Sequence, residues 1–293
     1  FSSAQLQALG TDDLRGLTRD ALRGLAAEQI GYLTSAQLAA LGSDQLQSLT
    51  TAQLRGLTSS QLATLATDDL NALTTEQMAA LGTAQIAALS SQHIANLTSD
   101  DLAALTTSQV RAIETRDLAG VDSADLRAMS SAQVAALTGE QLRALGTDDM
   151  VGFSAAAIGG MSTTQIAALT TGQVLALGTD QVQALSTAQI RGLTTAQVAA
   201  MGTDDLVALT TAQLAGFGTH QIAALSSTQV AALATDDLAA LSAAQVRAID
   251  TRGMGSFDTA DLGALTSAQL GALTSAQLAG IGTDTIDGLS TAA

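Results

Sequence analysis

Residues 193–200 read Leu-Thr-Thr-Ala-Gln-Val-Ala-Ala, and variants of this eight-residue unit make up the whole chain. From Phe1 the sequence divides into 36 complete octads and a five-residue remainder, without an insertion or a deletion. With the octad positions numbered one to eight, position one is Leu, Ile, Val, Met or Phe in all 37 instances. Position six is Leu, Ile, Val or Met in all 36. A period held over the full length predicts a repeat architecture.

The other octad positions have preferences that suit a very short helix. Position three is Thr or Ser in 32 of 37 octads, and we expect its hydroxyl to cap the helix start. Acidic residues concentrate at positions four and five, and eight of the eleven Arg residues occupy position seven; each charge then suits its end of the helix dipole. Gly recurs at position two, as in Gly10 and Gly42, where we expect a left-handed turn after the helix. The octad predicts a cap, about one and a half turns and a stop.

Two other architectures compete with short helices. A continuous helix would rotate its apolar stripe by roughly 80° per octad, so that no fixed face could be buried. A β-solenoid would need a corner in each octad, because positions one and six would otherwise point to opposite faces of a strand. The Ala, Leu and Gln content favours helix. We therefore predict an all-α solenoid with one very short helix per octad, stabilised by stacking, with a β-solenoid as the alternative.

A longer period overlies the octad. The Asp-Asp pairs at 12–13, 68–69 and 100–101 recur 136 residues later, at 148–149, 204–205 and 236–237. The segment RAIETRDLAGVDSADLRAM from Arg111 returns from Arg247 as RAIDTRGMGSFDTADLGAL. The chain is therefore predicted to be one continuous array with super-repeats at 1–136 and 137–272 and a partial third at 273–293. Such block duplication indicates selection for length, and we expect the parent protein to be longer.

Composition disfavours several classes of function. The net charge of −16 opposes binding to a phosphate backbone, so we expect no nucleic-acid partner. There is no Cys, which excludes disulfides and thiolate metal sites, and no run of about 18 apolar residues suggests a membrane span. Aromatic residues are only 2%, too few for an ordinary enzyme pocket. We expect neither catalysis nor a cofactor.

Few residues stand out as a candidate site. The Asp-Asp pairs lack the ligand pattern of a calcium loop and are expected to be first-turn charges, so no metal site is predicted. His93 and His220 are expected to be surface substitutions. The densest charges lie in the two related segments 111–127 and 247–261, which form either a docking patch or a solvated network of ion pairs. The candidate interaction residues are Arg111, Glu114, Arg116, Asp117, Asp122, Asp125, Arg127, Arg247, Asp250, Arg252, Asp258 and Asp261.

The uninterrupted unit LTTAQLAAL resembles the octapeptide arrays of very large bacterial surface proteins of the haemagglutinin-like and RTX-type adhesin groups. The resemblance implies export to the cell surface or outside the cell, an extended stalk or fibre, and a role in adhesion or biofilms. It carries over no haem or calcium function, because neither motif is present. We expect a structural filament, stalk or tube that associates with itself. The alternative is a solenoid scaffold that binds a surface protein or glycan.

Overall fold

The structure, a computed structural model, describes residues 1–283, 285 and 286. Over these residues the regular structure consists of 33 α-helices of four to six residues and two 3-10 helices. Each of the first 35 octads contributes one helix, and no strand occurs in the described residues. The predicted all-α solenoid is therefore confirmed, and the β-solenoid alternative is wrong.

The chain forms two compact units, Phe1–Phe153 and a second that begins at Ser154. The first unit contains the helices Ser3–Gln7, Thr11–Arg15, Arg19–Arg23, Ala27–Gly31, Ser35–Leu38, Ser43–Ser48, Thr51–Gly56, Ser59–Leu62, Thr67–Asn71, Thr75–Ala80, Thr83–Ile86, Ser91–Ala95, Ser99–Ala104, Thr107–Ala112, Thr115–Gly120 (3-10), Ser123–Ala128, Ser131–Ala136, Gly139–Ala144 and Asp148–Gly152 (3-10). The second contains Ala155–Gly159, Thr163–Ala168, Thr171–Leu175, Thr179–Gln183, Thr187–Gly192, Thr195–Ala200, Thr203–Ala208, Thr211–Ala215, Thr219–Ile222, Ser227–Ala231, Thr235–Ala240, Ala243–Ala248, Thr251–Met254, Thr259–Ala264, Ser267–Ala272 and Ser275–Gly280.

The helix cap lies at position two of the octad, one residue earlier than predicted. In the helix Thr195–Ala200 the cap is Thr194, whose hydroxyl accepts a hydrogen bond from the N–H of Gln197 at 3.2 Å. The Gln197 side chain in turn accepts from the N–H of Thr194 at 2.7 Å. This is a capping box, which satisfies two amide hydrogens that the helix itself leaves unpaired. The prediction that position three caps the helix is wrong, because position three is already the first helical residue.

The position-two glycines also begin helices, and the prediction that they form left-handed turns is wrong. Gly10 and Gly202 are caps with φ of −70° and −65°, and no described residue has a positive φ. A glycine can serve because the side chain at position five still holds the cap N–H, as Gln181 does for Gly178 at 2.7 Å. Residues without a side-chain acceptor are tolerated at this position for the same reason.

A six-residue helix has its C-cap at position one of the next octad, whereas the shorter α-helices end one or two residues earlier. The N–H of Leu193 donates to the C=O of Ile190 at 3.1 Å, and Leu193 itself is extended, with φ −60° and ψ 138°. Thr194 is also extended. Two extended residues therefore follow a six-residue helix, and the described chain turns without any positive φ.

Three octads, or 24 residues, make one coil of each solenoid unit. In the first unit Ala27–Gly31 packs against Thr51–Gly56, which packs against Thr75–Ala80, and this helix packs against Ser99–Ala104. In the second unit Thr171–Leu175 packs against Thr195–Ala200 in the same way. A helix of six residues is unstable alone, so its stability depends on the helices one coil before and one coil after.

Positions one and six form the core, as the octad pattern predicts. Side chains at position six are at most 3% exposed from Leu6 to Leu262, and those at position one are buried from Leu33 to Leu265. Each buried Leu, Ile, Val, Met or Phe contributes roughly 1.5–3 kcal/mol of transfer free energy. The apolar sequence positions are thus explained by burial within each unit.

Candidate functional site

The glutamine at position five joins successive coils. Gln197 is 1% exposed, and its amide nitrogen donates to the C=O of Ile166 at 2.9 Å and of Leu169 at 2.7 Å. These two carbonyls lie at the end of a helix one coil earlier, where the helix itself leaves its last C=O groups short of donors. The C=O of Ile166 also accepts from the N–H of Leu169 at 3.2 Å, so the glutamine is its second donor. One side chain therefore satisfies the start of its own helix through its oxygen and the end of another helix through its nitrogen.

The same arrangement recurs in both units and forms what we call the glutamine ladder. The amide nitrogen of each ladder glutamine donates to carbonyls 28 residues earlier and 30 or 31 residues earlier. The ladder residues are Gln37, Gln45, Gln53, Gln61, Gln77, Gln85, Gln109, Gln133, Gln141, Gln189, Gln197, Gln213, Gln221, Gln229, Gln245, Gln269 and Gln277. These repeated bonds fix the coil length, since a different number of octads per coil would move the amide away from its carbonyls.

Asp replaces Gln at position five in the Asp-Asp octads, and it supplies only half of this arrangement. A carboxylate accepts the cap N–H, as Asp13 does from Gly10 at 3.0 Å, but it has no hydrogen to donate to the earlier coil. Burial raises the pKa of the Asp205 carboxyl, the neighbouring charge of Asp204 raises it further, and the N–H of Gly202 acts in the opposite direction. The Asp-Asp octads are therefore interruptions of the ladder.

A second set of bonds runs from position seven to the coil that follows. The guanidinium Nε of Arg55 donates to the C=O of Ala80 at 2.7 Å, and that of Arg15 donates to Ala40 at 3.2 Å. The amide of Asn71 bonds to the C=O of Asn96 at 2.6 Å. Arg was predicted near the helix end for its charge. The structure adds that its side chain reaches the end of the helix one coil later.

In the first charged segment, Asp117 contacts the preceding coil, and Arg116 lies beside it. Arg116 Nη2 lies 2.6 Å from a Glu114 oxygen, and its Nε lies 3.6 Å from Asp117 Oδ1. Asp117 is 2% exposed and accepts a hydrogen bond from the hydroxyl of Ser91 at 2.5 Å. The Asp117 carboxylate is therefore held between a hydroxyl and a guanidinium.

The remaining residues of that segment have separate positions. Asp122 caps the helix Ser123–Ala128 and accepts from the N–H groups of Ala124 and Asp125. Asp125 is buried and accepts from the hydroxyl of Ser99 at 2.9 Å. Arg111 and Arg127 lie exposed near the ends of their helices, and neither forms an ion pair within the described residues. The structure thus brings together Glu114, Arg116 and Asp117, and it leaves the two outer arginines apart from them.

The second charged segment has fewer contacts. Asp250 caps the helix Thr251–Met254, and its carboxylate accepts from both the N–H and the Nε of Arg252, at 2.9 and 3.1 Å. These bonds, first the backbone one, lower the pKa of Asp250. Asp258 and Asp261 form a capping pair at the start of Thr259–Ala264. Arg247 lies exposed in the last turn of Ala243–Ala248.

The two histidines differ in their surroundings. His220 is exposed, as predicted, but the prediction of a surface position for His93 is wrong, because His93 is 6% exposed. Its Nδ1 accepts from the N–H of Ser90 at 3.2 Å, and its Nε2 lies 3.0 Å from the C=O of Leu65. The ring replaces a ladder glutamine with one donor in place of two. Its location at octad position five, where the ladder glutamines lie, is the sequence signal that could have indicated its burial.

Two features are absent from the part of the chain that the structure describes. No three His, Asp or Glu side chains are placed so as to hold a metal ion. None of the described helices has the length and apolar character needed to cross a membrane.

Comparison with known proteins identifies the repeat. A sequence model described as the ALTTAQ repeat matches the chain eight times, at residues 6–43, 38–75, 62–99, 110–147, 142–179, 174–204, 198–235 and 254–291. A search of curated proteins gives no match. The eight matches cover most of the sequence, and each includes the octad whose Thr, Gln and apolar residues form the cap, the ladder and the core. The chain therefore belongs to the ALTTAQ repeat family.

Proposed function

We propose that this repeat protein is a non-catalytic structural element of an extracellular or cell-surface filament, stalk or tube, related to adhesion or biofilms. The glutamine ladder is the observation that carries the proposal. Within each unit, buried amides of the same type join a coil to the coil before it, so the same contact is repeated from coil to coil. A series of similar, mutually dependent coils supplies length and stiffness.

Self-association is the second part of the proposal. A coil of this kind has amide donors toward one side and helix-end carbonyls toward the other, and it buries its apolar positions only against neighbouring coils. One chain could therefore continue the ladder of another. Such a head-to-tail contact uses two different surfaces and does not close on itself, which is the geometry of a filament.

Negative-stain electron microscopy of the purified chain over a wide range of concentrations tests self-association. We expect filaments or tubes of uniform width whose length grows with concentration. Discrete short particles at every concentration would contradict assembly. The structural role would then rest on a stalk made by a single chain.

A second candidate function is a solenoid scaffold that binds a surface protein or glycan. The observation that favours it is the change of local structure in the first charged segment, where a 3-10 helix, Thr115–Gly120, replaces the usual α-helix. Two exposed arginines, Arg111 and Arg127, flank this helix.

A glycan array distinguishes the two candidates. The scaffold function predicts glycan binding that is lost in the double variant Arg111→Gln, Arg127→Gln, while filaments in the microscope remain. Equal binding by the wild type and the double variant, or loss of filaments and binding together, would count against a dedicated scaffold surface.

A further inference from the structure

The two charged segments differ at one residue that matters for the local chemistry. Asp117 in the first super-repeat corresponds to Gly253 in the second, 136 residues later. The residues around it are retained: Ser91 corresponds to Ser227, and Arg116 corresponds to Arg252. The second segment therefore keeps a hydroxyl and a guanidinium but lacks the carboxylate that both contact in the first.

In the first segment the arginine is shared between two carboxylates. Its Nη2 lies 2.6 Å from Glu114, and its Nε lies 3.6 Å from the buried Asp117. The same oxygen of Asp117 accepts the hydroxyl of Ser91 at 2.5 Å. The Asp117 carboxylate thus accepts one hydrogen bond from a neutral hydroxyl and forms one longer ion pair with a guanidinium.

In the second segment the corresponding arginine has only one carboxylate. Arg252 Nε lies 3.1 Å from Asp250, which is its one ion pair within the described residues, and its side chain is 87% exposed. Both terminal nitrogens of this guanidinium are therefore without a carboxylate. The hydroxyl of Ser227 makes no hydrogen bond in the described part of the chain, whereas the hydroxyl of Ser91 donates to Asp117.

A surface cavity of about 260 Å³ lies at this place. It is lined by the stretch 223–227, which includes Ser226 and Ser227, and by Asp250 and Arg252. The volume accommodates a group the size of a carboxylate with its attached carbons. Gly253 follows Arg252 and is buried, and it is not one of the residues that line the cavity.

We propose that this cavity binds the carboxylate of a ligand through Ser227 and Arg252, the residues that correspond to the two partners of Asp117 in the first segment. The terminal nitrogens of Arg252 would supply the charged donors, and the Ser227 hydroxyl would supply the neutral one. Asp250 limits the affinity for the ligand carboxylate because it carries the same negative charge. It also holds the Arg252 guanidinium through Nε, which leaves the two terminal nitrogens available to the ligand. This site is independent of the proposed filament role.

The carboxylate has two sources, a small free acid or an acidic side chain of a second copy of this chain. We would follow the Arg Nε–Hε signals by ¹H–¹⁵N NMR, with the Arg252 signal assigned from its loss in Arg252→Gln. Sodium acetate is titrated at constant ionic strength against sodium chloride. A saturable acetate-specific shift of Arg252, with no such shift of Arg116, is expected for a free acid. The same shift on concentrating the protein without acetate assigns the carboxylate to a second copy.

Two variants make the test specific. Ser227→Ala should weaken the acetate response of Arg252 at least tenfold. Asp117→Gly should create a second site, so that the Arg116 signal also becomes responsive to acetate. The converse change, Gly253→Asp, is less informative, because a Cβ there would lie 3.1 Å from carbon atoms of Ile249 and Val230. An Arg252 signal that responds equally to acetate and chloride, and is unmoved by protein concentration, would overturn the proposal.

Discussion

Replacing the ladder glutamine Gln197 with Glu tests whether its amide hydrogen bonds hold successive coils together. Glu has the same shape and keeps the oxygen that accepts the N–H of Thr194, but it loses both hydrogens that bond to Ile166 and Leu169. The C=O of Leu169 is then left without a donor, which costs about 1–3 kcal/mol. The C=O of Ile166 keeps the N–H of Leu169, so its lost second bond adds roughly 0.5–1.5 kcal/mol. The buried carboxylate facing two carbonyl oxygens adds a desolvation cost.

Hydrogen exchange is the suitable assay, because long repeat arrays do not unfold in one cooperative step. A local loss of 2 kcal/mol corresponds to about thirtyfold faster exchange, and we expect it in peptides covering 158–208. The loss should shrink at acidic pH, because a protonated Glu has one O–H to donate.

Gln5 offers a matched control for this substitution. Its oxygen accepts the N–H of Ser2 at 2.8 Å, while its amide nitrogen makes no hydrogen bond among the described residues. Gln5→Glu should therefore leave exchange nearly unchanged. If Gln197→Glu altered exchange no more than Gln5→Glu, the ladder would not be what holds the coils together.

Three further predictions concern single positions. Gly56→Ala should lower the local free energy of unfolding by about 1–3 kcal/mol, since its Cβ would lie 2.3 Å from the backbone oxygen of Ala27. Gly271→Ala has nothing within 4 Å of its Cβ and should raise the local free energy of unfolding by about 0.5–1 kcal/mol. Equal changes in local hydrogen exchange at the two sites would refute the close approach. His93→Gln should supply the second N–H donor that the histidine ring lacks and should stabilise its coil by about 0.5–1.5 kcal/mol. Local hydrogen exchange measures this change, and slower exchange in the wild type than in the variant would contradict it. The pKa of Asp205 is raised, so the folded state binds its proton more tightly, and the stability from this group is present at acidic pH and is lost as pH rises past the raised value. The stability of Asp205→Asn relative to wild type should therefore increase from pH 3 to pH 7. A difference that does not change with pH would contradict the raised pKa.

The helices and the core could be predicted from the sequence because they depend on local spacing. Positions one and six are apolar in every octad and lie three residues apart across the octad boundary, so they share a helical face. The cap was placed one residue too late because position three holds Thr or Ser more regularly than position two, which also takes Gly10 and Ala26. That variation is tolerated since the side chain at position five holds the cap N–H, as Gln29 does for Ala26 at 2.8 Å.

The coil length could not be predicted, because it depends on contacts between residues 28 to 31 apart. Nothing in a single octad shows whether Gln at position five bonds to the solvent or to another coil. The burial of His93 was missed for the same reason, although it occupies the ladder position. The candidate charged segments were found from sequence, but the difference between Asp117 and Gly253 gained its meaning only from the Ser91 and Arg116 contacts.

The offset of the ladder bonds has a consequence for how the protein is made. The C=O of Leu169 receives its hydrogen bond only after Gln197 has been synthesised, 28 residues later. The C=O of Ile166 accepts from the N–H of Leu169 and gains its second bond from the same glutamine. During synthesis, the newest coil of the nascent chain therefore always lacks the hydrogen bonds that the following coil will supply. Folding would follow translation from the N-terminus with a constant lag of about one coil, and a pause in elongation would leave the newest coil exposed.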